Sequence, residues 1–63
     1  MLPVVFLDDD AEYARMLAIR FQRVAQEAGI SFNIALCSTS VQQTLDYAHA
    51  HPDGNLYFLD IEL

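Results

Sequence analysis

Three consecutive acids, Asp8-Asp9-Asp10, follow the apolar run Val4-Val5-Phe6-Leu7, and another, Asp60, follows Leu56-Tyr57-Phe58-Leu59. Carboxylates after apolar runs can cap helices and keep loops wet, or they can converge on a hard cation. The choice depends on where the runs lie. If they are neighbouring strands of a parallel sheet, their carboxyl ends share one edge, with the strands ~4.8 Å apart. Asp8 or Asp9 then lies close to Asp60. Like charges that close raise one another's pKa, so the arrangement is unfavourable unless something neutralises it. Mg²⁺ does so with oxygen ligands, and it keeps waters that a phosphate can displace. Asp10 reads differently, because helix capping explains it fully. Glu62, two residues past Asp60, reads as solvent-facing.

The elements that must position these acids are legible from periodicity. Pro3 introduces the first run, and an unbroken apolar, β-rich stretch fits a strand buried on both faces. From Ala11 to Ala28 the period changes: Ala14, Leu17, Phe21, Val24 and Ala28 form one helical stripe, opposite Glu12, Arg15, Gln22, Arg23 and Gln26. Asp10 suits the N-cap of this helix and Gly29 the left-handed residue that ends it. Phe32 to Cys37 reads as a second strand, and Cys37 as a small buried hydrophobe. Ser40 and Gln43 form a capping box for a shorter helix with Val41, Leu45 and Ala48 inward. Pro52-Asp53-Gly54-Asn55 is a turn, and Leu56 to Leu59 is a third buried strand. Strands alternating with helices predict an α/β fold with a parallel sheet and right-handed crossovers. Ligand sites in such sheets lie outside the carboxyl ends of strands, at a switch point.

Composition narrows the function classes. The chain has 63 residues, a 54% hydrophobic fraction and a formal net charge of −6. A chain of that size buries only about 60% of its unfolded surface, so a free-standing fold is marginal. One cysteine rules out an intramolecular disulfide and a thiolate zinc cluster, and fits a reducing, cytoplasmic setting. No apolar run approaches the ~18 residues of a membrane span. The acidic charge argues against nucleic-acid contact by this segment. All cations are arginines (Arg15, Arg20, Arg23), read as a solvated helix face, and there is no Lys. His49 and His51, near the end of the second helix, read as exposed helix-end residues.

The strand ending in Asp8-Asp9, the helix started by Asp10, and the closing Tyr57-Phe58-Leu59-Asp60-Ile61-Glu62-Leu63 together resemble the receiver domain of bacterial two-component response regulators. With Asn33-Ile34-Ala35-Leu36 included, the pattern is most similar to the accessory-gene-regulator type, in which a receiver precedes a LytTR DNA-binding domain. The resemblance implies a flavodoxin-like fold with strand order 2-1-3-4-5. It implies that Asp60 accepts a phosphoryl group from a sensor histidine kinase. It also implies that Asp8, Asp9 and Asp60 hold Mg²⁺, directly or through water, together with the backbone carbonyl of Glu62. The first helix is where such domains often meet their kinase.

The family also uses a Ser or Thr after a fourth strand and a Lys after a fifth, and its receivers run to about twice this length, in keeping with common domain sizes. Residues 1–63 therefore look like the N-terminal half of a receiver, with the first three strands and two helices. Taken alone, they are expected to phosphorylate poorly and not to act as an enzyme. The third strand, central in the family, would carry an open edge. That predicts self-association, as a homodimer or a higher assembly, with third strands pairing between copies and a two-fold dimer the commonest closed solution. Two other readings stand beside this one. Asp60-Ile61-Glu62 faintly resembles the Asp-x-Asp of haloacid-dehalogenase-like Mg²⁺ phosphatases, which place that motif after the first strand and follow it with a Gly-Thr absent here. A pseudo-receiver, an interaction module that keeps the acids without taking phosphate, is the other.

Overall fold

A computed structural model describes residues 1–60 as five alternating elements: β1 (Leu2–Asp8), α1 (Ala11–Ala28), β2 (Phe32–Ser38), α2 (Val41–Ala50) and β3 (Leu56–Asp60). The strands are all parallel and form one sheet in the order β2-β1-β3. The α/β class expected from the alternation is what forms. From β1 the chain steps to one neighbour, then crosses back to the other side. Crossovers of one hand then put the helices on opposite faces. The packing agrees. Val4 and Phe6 meet Leu17, Ala18 and Phe21 of α1, whereas Leu7, Tyr57 and Leu59 line a cleft with Val41, Leu45 and Ala48 of α2.

The central strand carries the core. Val4, Val5, Phe6 and Leu7 are at most 4% exposed, as an unbroken apolar run between two helices requires. Phe6 stacks on its ladder partner Phe58 with ring centroids 5.0 Å apart, and Phe21 meets both edge-on. Phe32 meets Phe21 edge-on at 5.0 Å. Such pairs each add about 0.5–1.5 kcal/mol beyond the area they bury. This aromatic group fastens α1 across all three strands.

Both helices start and stop as their residues dictate. The Asp10 carboxylate accepts from the backbone N–H groups of Glu12 and Tyr13, and Gly29 takes the left-handed conformation at φ 72°. The Ile30 N–H then reaches back to the Ala25 carbonyl at 2.9 Å. At α2, Ser40 Oγ accepts from the Gln43 N–H, which is half of the expected capping box. The other half is replaced. The Gln43 side chain accepts from the Ser38 hydroxyl, and Ser38 Oγ takes the Ser40 N–H.

The expected helix stripes need correction. On α1 the buried residues are Ala14, Ala18 and Ala25, with Leu17 and Phe21 half-buried, while Val24 is 61% exposed and Ala28 is exposed. On α2 only Thr44 is buried, and Val41 and Leu45 are about half exposed. One geometric fact explains both. The backbone of each helix lies over β1 and β2, and α1 reaches β3 only through Phe21 on Phe58, so the side of each helix nearest β3 stays largely open. Small alanines, free of bulk, let α1 lie close over the covered half. β3 is likewise not buried on both faces: Leu59 is 60% exposed and Leu56 is 36% exposed. Cys37 is exposed, against expectation, because β2 is an edge strand and its buried terminal side chain is the next one, Ser38.

Candidate functional site

The register between β1 and β3 runs unbroken from Val4 opposite Leu56 to Asp8 opposite Asp60. It follows from the apolar pattern: a one-residue slip would reverse the faces of Phe58 and Leu59 and break the Phe6–Phe58 stack. The packing that fixes the core therefore also fixes an aspartate opposite an aspartate at the sheet's carboxyl edge. Adjacent strands lie ~4.8 Å apart, so two acids share one end of one ladder.

Asp8 is the unusual member. It is only 2% exposed. Its Oδ1 accepts the Asp10 N–H at 2.9 Å, closing the turn that leads into α1. Its Oδ2 is buried without a hydrogen-bond partner. The same turn occurs at the end of β2, where Ser38 Oγ accepts the Ser40 N–H at 2.9 Å. There a serine suffices. The turn at β1 thus accounts for one oxygen of Asp8 and leaves the second surplus, at a depth where an unpaired carboxylate oxygen is costly.

The neighbouring acids divide by role. Asp9 is exposed at the bend after β1, and its pKa is raised. The largest cause is a hydrogen bond that a proton on Asp9 makes to the Asp8 carboxylate, followed by desolvation and the charge of Asp8. The charge of Asp60 adds to this, and Asp9's own backbone N–H opposes it. With both carboxylates ionised, two acceptors face one another and no such bond exists. Asp10 is the α1 cap, as expected, with bonds of 3.0 and 3.2 Å. Asp60 is exposed at the end of β3. Glu62 lies outside the described residues.

These acids suit a cation that asks for few protein ligands. Among the described residues, no three His, Cys, Asp or Glu side chains form a group that could hold a metal ion. Mg²⁺ is held by one or two carboxylates plus waters and phosphate oxygens, so it does not need such a cage. The buried, unpartnered Oδ2 of Asp8 beside Asp9 and Asp60 fits that donor chemistry.

The remaining singled-out residues stand apart from this edge. His49 and His51 are exposed, and the His51 ring packs on Tyr47 at 4.5 Å, at the far end of α2. Asn55 ties the same end down, accepting from the Tyr47 hydroxyl and donating to the His51 carbonyl. Arg15, Arg20 and Arg23 are exposed along α1 and border a groove with Met16 and Ile19. Neither spacing nor alternation singles out Asp8 as the buried acid, because Val5 and Leu7 are as buried as Val4 and Phe6; Asp8 is buried as the last residue of β1, and Asp9 lies in the bend beyond it. Among the described residues, no helix is long and apolar enough to cross a membrane. No family model, curated protein or solved structure matches the chain.

Proposed function

We propose that Asp60 is a phosphoacceptor and that Asp8 and Asp9 are the Mg²⁺-holding acids of a receiver-type signalling module. The observation that carries this reading is the surplus, buried Oδ2 of Asp8 on the residue in register with Asp60. The order β2-β1-β3 agrees with the first three strands of a flavodoxin-like sheet, whose ligands bind outside the strands' carboxyl ends. On this reading the donor is a sensor histidine kinase, and the output passes to a DNA-binding domain outside this segment.

The chemistry follows from the chain's own groups. A carboxylate oxygen of Asp60 attacks phosphorus in line, the bond from phosphorus to the donor breaks, and the leaving group takes the electron pair. The product is an aspartyl phosphate. Bound Mg²⁺ supplies charge neutralisation for the carboxylates and the phosphoryl oxygens. Asp8 is fixed for its part by the Asp10 N–H on Oδ1, which leaves Oδ2 as the oxygen for the cation. Asp10 in turn is held by the first turn of α1, so the helix start anchors the site. Asp9, exposed at the bend, reaches the same edge from solvent.

The test is to incubate the chain with acetyl phosphate, with and without Mg²⁺, and to measure intact mass. A phosphate increment is expected only with Mg²⁺. It should be lost on hydroxylamine treatment, as for an acyl phosphate, and absent in Asp60→Asn. The chain has no Lys to assist transfer, so a minor modified fraction is expected. An increment that persists in Asp60→Asn, or none at any Mg²⁺ concentration, overturns the phosphoacceptor assignment. In the second case, retained Mg²⁺ binding would favour the interaction-only module.

A further inference from the structure

The turns that lead from β1 into α1 and from β2 into α2 are built alike. In each, the last strand residue accepts the N–H of the helix N-cap two residues on: Asp8 Oδ1 from Asp10 and Ser38 Oγ from Ser40, both at 2.9 Å. Each N-cap side chain then accepts from the first turn, Asp10 Oδ1 from the Glu12 and Tyr13 N–H groups and Ser40 Oγ from the Gln43 N–H. Each N-cap carbonyl accepts the N–H four residues on, from Ala14 at 3.0 Å and from Thr44 at 3.1 Å. Asp10 and Ser40 share one extended backbone conformation, φ −106° and ψ 107° against φ −103° and ψ 118°. Serines complete the second junction, so neither the anchor nor the cap requires a carboxylate.

The two junctions differ in what is left over. Ser38 Oγ also donates to Gln43 Oε1 at 2.7 Å, so its network closes on itself. Asp8 keeps a buried Oδ2 with no hydrogen-bond partner. A carboxylate is rigid and planar, so whatever holds Oδ1 also aims Oδ2. The holder is the Asp10 N–H, and its direction is set by the bonds that the rest of Asp10 makes to α1. Ala14, which donates to the Asp10 carbonyl, is 1% exposed and ties that first turn to the core.

We infer that Asp10 is a positioning residue: by capping α1 it aims Asp8 Oδ2, so that order in the first turn of α1 and affinity for a divalent cation at Asp8 are one coupled property. The inference rests on the reading of Asp8 as a cation-holding acid and adds a residue that acts without touching the cation. Truncating the Asp10 side chain leaves its backbone N–H in place but frees the N–H groups of the first turn that the side chain held. The peptide carrying the Asp10 N–H then loses its fixed direction, and Oδ2 its aim. The coupling is reciprocal, as linkage requires. A cation that fixes Oδ2 steadies the amides of Glu12 and Tyr13, and a partner that orders or frays that turn tunes cation affinity without reaching the acidic edge.

Mg²⁺ dissociation constants of substituted chains test the inference, read from amide shifts of the folded form at ~0.15 M salt, which screens the remote part of the Asp10 charge. Asp10→Ser and Asp10→Asn keep a capping oxygen and should bind within about twofold of the unaltered chain. Asp10→Ala should bind roughly three- to tenfold more weakly, short of the ~10–100-fold expected of a group that bonds a metal ligand directly. A constant referred to the folded chain does not move with fold stability alone. In the unaltered chain, Mg²⁺ should also slow hydrogen exchange at the Glu12 and Tyr13 amides, a measurement that needs no variant to fold. Asp10→Ala binding as tightly as its parent, or Glu12 and Tyr13 amides indifferent to Mg²⁺, would overturn the inference. So would Asp10→Ser and Asp10→Asn as weak as Asp10→Ala, which would make the Asp10 charge the active feature. An unaltered chain with no saturable Mg²⁺ response removes the cation reading itself and this role with it, so the two failures are told apart.

Discussion

Phe6→Ala is expected to unfold the chain. Phe6 is 1% exposed and lies at the centre of the aromatic group, touching Phe58 on the next strand and Phe21 on α1. Truncating a buried Phe to Ala costs about 3–5 kcal/mol. Native domains hold about 0.05–0.15 kcal/mol per residue, or roughly 3–9 kcal/mol for a chain of this length, and small chains sit low in that range. The loss therefore matches most or all of the stability available. Far-ultraviolet circular dichroism with urea titration should show no cooperative transition in Phe6→Ala. Val24→Ala is the control. Val24 is 61% exposed, and its truncation should shift stability by no more than about 0.5 kcal/mol. A folded Phe6→Ala with an unchanged urea midpoint would contradict this account of the core.

Asp8→Asn is expected to do the reverse in Mg²⁺-free buffer and stabilise the fold. The asparagine carbonyl can still accept the Asp10 N–H, so the turn into α1 survives. The amide puts donors where Oδ2 was an unpartnered acceptor, and it removes one charge from beside Asp9 and Asp60. Relieving a buried unpaired polar group is worth about 1–3 kcal/mol, more when it is charged.

The pH dependence has a definite sign. Asp9's pKa in the fold lies above its ordinary 3.8, chiefly because Asp8 holds its proton. The folded chain binds that proton more tightly than the unfolded chain does, which favours folding at low pH. That contribution is complete below 3.8 and is lost as pH rises through the raised value. The unaltered chain should thus lose stability over that interval, and Asp8→Asn should lose less. Urea midpoints at acid and neutral pH measure both effects. An Asp8→Asn chain less stable than its parent at neutral pH would show that Oδ2 has a stabilising partner after all.

Much of the fold was legible because its signals are local. The change of period at Ala11, the cap at Asp10 and the αL glycine at Gly29 each announce themselves within a few residues, and the observed α1 bounds coincide with the expected ones. The burial of Val24, Val41, Leu45 and Leu59 was not legible, since it depends on whether anything lies over β3. An apolar stripe records which face a helix is built to cover, not what is there to cover it. Cys37 and Ser38 illustrate the same limit. Both end one strand, and only the position of β2 at an edge determines that the hydroxyl is buried and the thiol exposed. The acids lie between these cases. Their grouping at one sheet edge follows from parallel strands, whereas the surplus oxygen of Asp8 emerges only when its turn is compared with the one built by Ser38.

The central claim is that the β1–β3 register builds a divalent-cation site from Asp8, Asp9 and Asp60. A Mg²⁺ titration of the isotope-labelled chain, followed through its backbone amide resonances, tests it most directly. Saturable shifts are predicted at Asp8, Asp9 and Asp60, small or no shifts at the remote acids Glu27, Asp46 and Asp53, and no saturation in Asp8→Asn. Equal, non-saturating shifts at all the acids, or a response that Asp8→Asn leaves intact, would contradict it.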